Sequence, residues 1–134
     1  DAREFLAYTK ARPGRLTYGS AGNGSSPHLA GEMMKSQAGL FVVHVPYRGA
    51  PAAVLAVING EVTMGFFNAP TVVGQIKSGK LKALAVTTKD RSVFMPEVPT
   101  MIEQGFPTVE IGGWVGTMFH RCCIVTSPGR IGAP

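Results

Sequence analysis

Three times in this chain an apolar, strand-like run breaks into a short polar loop and restarts as a helix that opens on a proline: Ser26-Pro27, Ala50-Pro51 and Ala69-Pro70. Proline suits a first helical turn because its φ is already helical and the N–H it lacks would have no intrahelical partner there. Strands alternating with helices of about ten residues predict βαβ units. The fold class that follows is α/β, a mostly parallel sheet of about five strands with helices on both faces and right-handed crossovers. In such a sheet all three helix N-termini lie at the carboxyl ends of the strands, the edge where open α/β sheets bind ligands.

That arrangement has a chemical consequence. A helix N-terminus carries unpaired N–H groups and roughly half a positive charge, so a cluster of them forms an anion site from backbone. The first loop, Gly19 to Ser26, alternates glycines, which admit positive φ and close ligand approach, with hydroxyl and amide donors. None of the three loops contains Asp or Glu, and Arg48 is the charged residue nearest to them in sequence. A carboxylate or a phosphate fits such a pocket.

The 134 residues, 45% of them hydrophobic, suffice for one globular domain and leave no room for a second. A net charge of +5 permits nucleic-acid binding, but the basic residues are dispersed. Their tightest group, Lys77, Lys80 and Lys82, reads as a solvated rim at a helix end. No run approaches the ~18 apolar residues of a membrane span, which predicts a soluble chain, and the first residues show no signal-peptide pattern. Cys122 and Cys123 are adjacent, a spacing that disfavours a bridge between them, and with His120 they fall short of the about four ligands of a zinc site. Neither a metal nor a cofactor is expected.

Along the chain, Ala2–Lys10 reads as an amphipathic helix, Leu16–Ser20 as a strand, and the segment from Pro27 as a helix with Ser26 as N-cap and Gly39 as its stop. Phe41–Pro46, Val62–Phe67 and Leu81–Thr88 read as further strands, and Pro70–Lys77 as a helix. The helix after Pro51 is apolar all round, hence deeply buried or packed against a surface outside this chain. Thr100-Met101-Ile102-Glu103 matches a capping box before a short helix, and a last strand is expected from Val109 to Met118, with Trp114 as core or packing wall.

The candidate ligand-binding residues are Ser20, Ala21, Gly22, Asn23, Gly24, Ser25, Ser26 and His28 in and after the first loop, Tyr47, Arg48, Gly49 and Ala50 in the second, and Asn68 and Ala69 in the third. His28, at the start of its helix, is placed to donate to an anion or to act as a base, or is structural. Arg48 pairs with a carboxylate or is simply solvated. Asn68 contacts a ligand or is an N-cap and nothing more. Gly22-x-Gly24 lacks both the Lys of a P-loop and the third glycine of a dinucleotide fingerprint. Nucleophilic catalysis by Ser20, Ser25 or Ser26 would need a base and an orienting acid, and no acid is close in sequence. No catalytic residue is therefore assigned.

Several segments in register, Leu16 to Glu32, Val43 to Gly49, Gly79 to Thr87, Pro96 to Thr100 and Glu103 to Gly105, resemble the substrate-binding proteins of tripartite tricarboxylate transporters, the Bug family. The resemblance runs through about residues 1–118. It implies one lobe, the second, of a two-lobed, type II periplasmic-binding-protein-like fold that closes on a small organic acid and delivers it to a membrane transporter. It also implies a periplasmic location, transporter subunits as partners of the full-length protein, and a ligand carboxylate held at Ser20 to Ser26, with Tyr47 to Ala50 and Phe67 to Ala69 lining the same cleft. Residues 119–134 depart from the family pattern and read as an atypical tail.

A single lobe is a half-site. Each charge-assisted donor to a carboxylate contributes on the order of 1.5–3 kcal/mol, but an open face leaves water in competition. Millimolar or weaker affinity is expected of the chain alone. Two alternatives stay open: an enzyme domain holding a phosphorylated or acylated substrate at Gly22 to Ser26, whose turnover would need Ser25 or His28, and a fragment that binds nothing and self-associates through its apolar face.

Overall fold

A computed structural model describes residues 2–108, 110, 112–115 and 118–126, with residues 2, 112–115 and 118–126 described as backbone only. In chain order the elements are α1 (Ala2–Lys10), β1 (Thr17–Ser20), α2 (Ser26–Ala38), β2 (Val43–Pro46), α3 (Ala50–Asn59), β3 (Met64–Asn68), α4 (Ala69–Lys77), β4 (Lys82–Val86), β5 (Gly112–Val115) and β6 (Met118–Thr126). The sheet runs β2-β1-β3-β6-β4, with β5 paired to β6 off this path. β1 pairs in parallel with β2 and with β3, whereas β6 lies antiparallel between β3 and β4. β4 thus points the same way as the three parallel strands.

Helices cover both faces, and the alternation of strand side chains assigns them. Phe66 and Phe67, both fully buried, are neighbours on β3 and point to opposite sides. Phe66 joins Tyr18, Met64 and Leu84 under α1 and α2, while Phe67 joins Val57, Val72 and Val86 under α3 and α4. Burial of each such side chain contributes roughly 1.5–3 kcal/mol. Gly31 lets α2 settle directly on β1, since a Cβ there would stand 2.4 Å from the Tyr18 ring.

Several sequence expectations move in detail. Ser25, not Ser26, caps α2: its Oγ accepts from the His28 N–H, which puts Pro27 in the first turn. Gly39 ends α2 in the left-handed conformation, as expected. α3 is buried along one side only, through Ala53, Val54, Ala56 and Val57, while Leu55 is 57% exposed. Its outer side forms an apolar groove with α4 of about 320 Å³, lined by Pro51, Val54, Leu55, Ile58, Thr71 and Gln75. The capping box closes in both directions, Thr100 N–H to Glu103 Oε2 at 2.7 Å and Glu103 N–H to Thr100 Oγ1 at 3.1 Å, yet residues 101–105 form turns rather than a helix.

The chain's end differs most. In place of one strand from Val109 to Met118 there is a hairpin of β5 and β6, and β6 carries the backbone on to Thr126 inside the sheet. The expectations for the Trp114 ring and the Cys122 and Cys123 thiols fall on side chains outside the described set.

Candidate functional site

The parallel pairing of β1 with β2 and β3 brings all three strand-to-helix junctions to one edge of the sheet. The first two touch. The Tyr47 N–H donates to the Ser20 carbonyl at 3.0 Å, and a Cβ on Gly22 would lie 3.6 Å from the Tyr47 carbonyl oxygen. Gly22, Gly24 and Gly49 have φ of 124°, 77° and 101°, conformations that glycine alone adopts without strain. Asn23, Gly24 and Arg48 are exposed; Ala21, Gly22, Ser25, Ser26, His28, Tyr47, Gly49, Ala50 and Asn68 are half-buried; Ser20 and Ala69 are buried. Arg48 makes no hydrogen bond or ion pair with any described residue.

The first junction organises itself. Ser25 Oγ donates to the Gly22 carbonyl at 2.7 Å while capping His28 N–H, and Leu29 N–H bonds the Ser25 carbonyl. Pro27 has no N–H, so in the opening turn of α2 the Ser26 N–H is left without a partner among the described residues. Gly24 N–H donates to His28 Nδ1 at 3.0 Å. At the third junction the Asn68 side chain makes no cap bond, and its Oδ1 is buried without any partner among the described residues.

Behind the first loop the structure assembles a cluster that reading along the sequence missed. His44 of β2 lies directly across from Tyr18 of β1, and the two rings stack at 4.7 Å. His28 stacks on the other side of His44 at 4.2 Å and 18°. His44 Nε2 lies 2.7 Å from Ser20 Oγ, which in turn contacts both the N–H and the carbonyl of Gly22 at 3.2 Å. The Tyr18 hydroxyl donates to Glu32 Oε1 at 2.7 Å, Lys35 Nζ reaches the same oxygen at 2.9 Å, and His28 Nε2 stands 4.0 Å from it. Arg48 is thus not the only charge near the loops: Glu32, one turn along α2 from His28, brings a carboxylate and Lys35 to its flank. The signal for His44 was its alternation with Val43 and Val45, which turns it to the Tyr18 side of the sheet.

These contacts set the electrostatics. The Tyr18 hydroxyl, then Lys35 and His28, hold the Glu32 carboxyl below its usual range against the opposing effect of burial. Burial first, then the Glu32 bond and charge, pushes the Tyr18 phenol up. His44 is shifted down, chiefly by burial and then by His28. The arrangement does not favour nucleophilic catalysis. Ser20 is fully buried, Ser25 is occupied by its cap, and among the described residues no carboxylate hydrogen-bonds either imidazole. No group of three or more His, Cys, Asp or Glu among the described residues is placed to hold a metal ion.

Comparison with known proteins places the chain in a family. The model of the tripartite tricarboxylate transporter family receptor matches residues 1–121. Protein BugT of Bordetella pertussis is 37% identical over 114 residues, 85% of this chain and 35% of BugT. A second protein of the same organism, a UPF0065 protein, is 38% identical over 112 residues, 84% of this chain and 35% of that protein. The chain thus spans about a third of the length of the curated relatives it matches. Among solved structures, the periplasmic binding protein BugD superposes with a TM-score of 0.78 at 28% identity over 95% of this chain and 40% of BugD. Rpa4515 of R. palustris, solved with adipate, superposes with a TM-score of 0.77 at 28% identity over 93% of this chain and 40% of its own. The chain belongs to the tripartite tricarboxylate transporter receptor family.

Proposed function

We propose that residues 1–118, together with the rest of strand β6 in the same sheet, form the second lobe of a periplasmic solute-binding protein, and that the lobe supplies half of a site for a small organic acid destined for a tripartite tricarboxylate transporter. One observation carries this reading: three helix N-termini share one sheet edge, and no junction contains a carboxylate. The ligand carboxylate takes the N–H groups of the Gly22 to Ser26 loop, with Gly49 and Asn68 beside it. Asn68 suits the role because its side-chain amide is not engaged as a cap. The adipate bound by a relative of the same architecture supports a carboxylate over a phosphate. A periplasmic setting follows from the family, and no helix among the described residues is long and apolar enough to cross a membrane.

A titration of the isotope-labelled chain with acetate, succinate, adipate and citrate tests the half-site. Saturable amide shifts confined to Gly22, Gly24, Ser25, Ser26, Gly49 and Asn68, with millimolar midpoints, are expected. Silence at those amides up to about 50 mM of every acid, more than tenfold above a millimolar constant, rejects it. Turnover of an acyl or phosphoryl ester that is lost in Ser25→Ala would instead establish the enzyme reading.

A further inference from the structure

The carboxylate reading leaves one contact unexplained: a donor that the ligand needs is already taken. Gly24 is exposed, with a φ of 77°, and in the carboxylate reading its N–H is one of the donors to the ligand. Yet that N–H donates to His28 Nδ1 at 3.0 Å. A backbone N–H is always a donor, so Nδ1 holds a lone pair, and the proton of the neutral ring sits on Nε2, which faces Glu32 at 4.0 Å.

Resting on that reading, we propose that His28 gates the loop. Unprotonated, it occupies the Gly24 N–H; on taking up a proton at Nδ1 it turns from acceptor to donor, releases Gly24 and adds a positive charge, so that carboxylate binding is coupled to proton uptake by His28. In the protonated state two donors face each other across 3.0 Å, an arrangement that repels until an anion sits between them. A carboxylate oxygen bridging Gly24 N–H and His28 Nδ1–H satisfies both. One proton enters with the ligand and none is lost elsewhere.

The surroundings suit a single proton. From α2, Glu32 favours the charged ring while Lys35, 2.9 Å from the same Glu32 oxygen, opposes it. From β1, the Tyr18 hydroxyl is neutral and points to Glu32. From β2, His44 stacks on His28 at 4.2 Å, too close for both rings to be charged at little cost. Burial, and then the neighbouring His28, hold the affinity of His44 for protons down. Residues 20–27 contain no charged side chain.

The test uses the whole labelled chain and adipate at about pH 6 and about pH 8, across which an imidazole changes charge. Phosphate is avoided because it titrates in the same window. Without ligand, the Gly24 amide resonance is expected to follow the titration of the His28 ring. With adipate, the original chain is expected to bind about three- to fivefold more tightly at the lower pH, the effect of one partly screened charge. In His28→Ala and in His28→Asn, whose side-chain oxygen can still accept from Gly24, that ratio is expected to fall to about one, since neither side chain titrates. A Gly24 amide indifferent to the His28 titration, or a His28→Asn variant that keeps the original pH ratio, overturns the gate while leaving carboxylate binding standing. A Gly24 amide that follows His28 in a chain that ignores adipate at both pH values overturns the carboxylate reading and, with it, the coupling. Because the ligand-free titration uses the unaltered chain, the outcome does not depend on either variant folding.

Discussion

The junctions β1–α2 and β3–α4 share a design, a polar strand end followed by a helix with proline in its first turn, yet they treat their polar groups in opposite ways. At β1–α2, Ser20, Ser25 and His28 are engaged with one another and with Gly22 and Gly24, and the layer behind them is a hydrogen-bonded stack of Tyr18, His44, His28 and Glu32. At β3–α4 the Asn68 oxygen is buried without a partner among the described residues, and its helix packs through aliphatic Ala69 and Val72. Networks that satisfy their own polar groups are rigid, and breaking them is costly. A buried polar group without a partner in the fold destabilises it by itself. The first junction is therefore the more preorganised of the two and the third, among the described residues, the less saturated.

Substitutions that separate the two junctions follow, in falling order of effect. Gly31→Ala drives a methyl into the Tyr18 ring and displaces α2 from the first junction; a loss of about 2–3 kcal/mol is expected in chemical denaturation. Ser20→Ala strips a buried hydroxyl from His44 and Gly22 and should cost about 1–2 kcal/mol, with enhanced hydrogen exchange at Gly22. Tyr18→Phe removes the strongest partner of Glu32 and should cost about 1 kcal/mol at neutral pH. Its pH profile carries a sign: the Glu32 carboxyl is depressed in the folded state, so the stability it confers is present above the unfolded carboxyl value near 4.5 and is lost as pH falls through the folded one. The variant should lose most of that acid limb, and an unchanged limb would assign it to other carboxylates. Asn68→Leu, of similar volume, gives up no hydrogen bond of the side-chain oxygen and should shift stability by no more than about 0.5 kcal/mol in either direction, while abolishing the ligand-induced shift at residue 68. A cost as large as that of Ser20→Ala would collapse the distinction between the junctions.

What the sequence made legible was local. Proline after a small residue marked all three helix starts, because a proline N–H is missing where none is needed, and Gly39 marked the end of α2, where it takes up a positive φ. The shift of the α2 cap from Ser26 to Ser25 reflects two adjacent serines of equal chemistry, decided by which hydroxyl meets His28 N–H. The cluster behind the loop was illegible for a different reason. Tyr18, His44 and His28 sit on three elements, and their contact depends on the β1–β2 register and on how closely Gly31 lets α2 approach. Strand β6 was hidden because its neighbours β3 and β4 are remote in sequence, and pairing partners are not encoded in the periodicity of one strand.

That last strand bears on how the molecule is made. During synthesis β3 and β4 emerge long before Met118–Thr126, and until β6 arrives each presents an open row of N–H and carbonyl groups. The sheet cannot zip from one end; its centre is closed last, by a segment that must slot between two strands already in place. Pairings so distant along the chain form slowly, and nascent chains caught before that step display the unpaired edges through which β proteins aggregate. A ribosome-bound form of this chain stalled ahead of residue 118 would therefore be a client for chaperones, and the arrival of β6, more than the folding of any βα unit, would close the sheet.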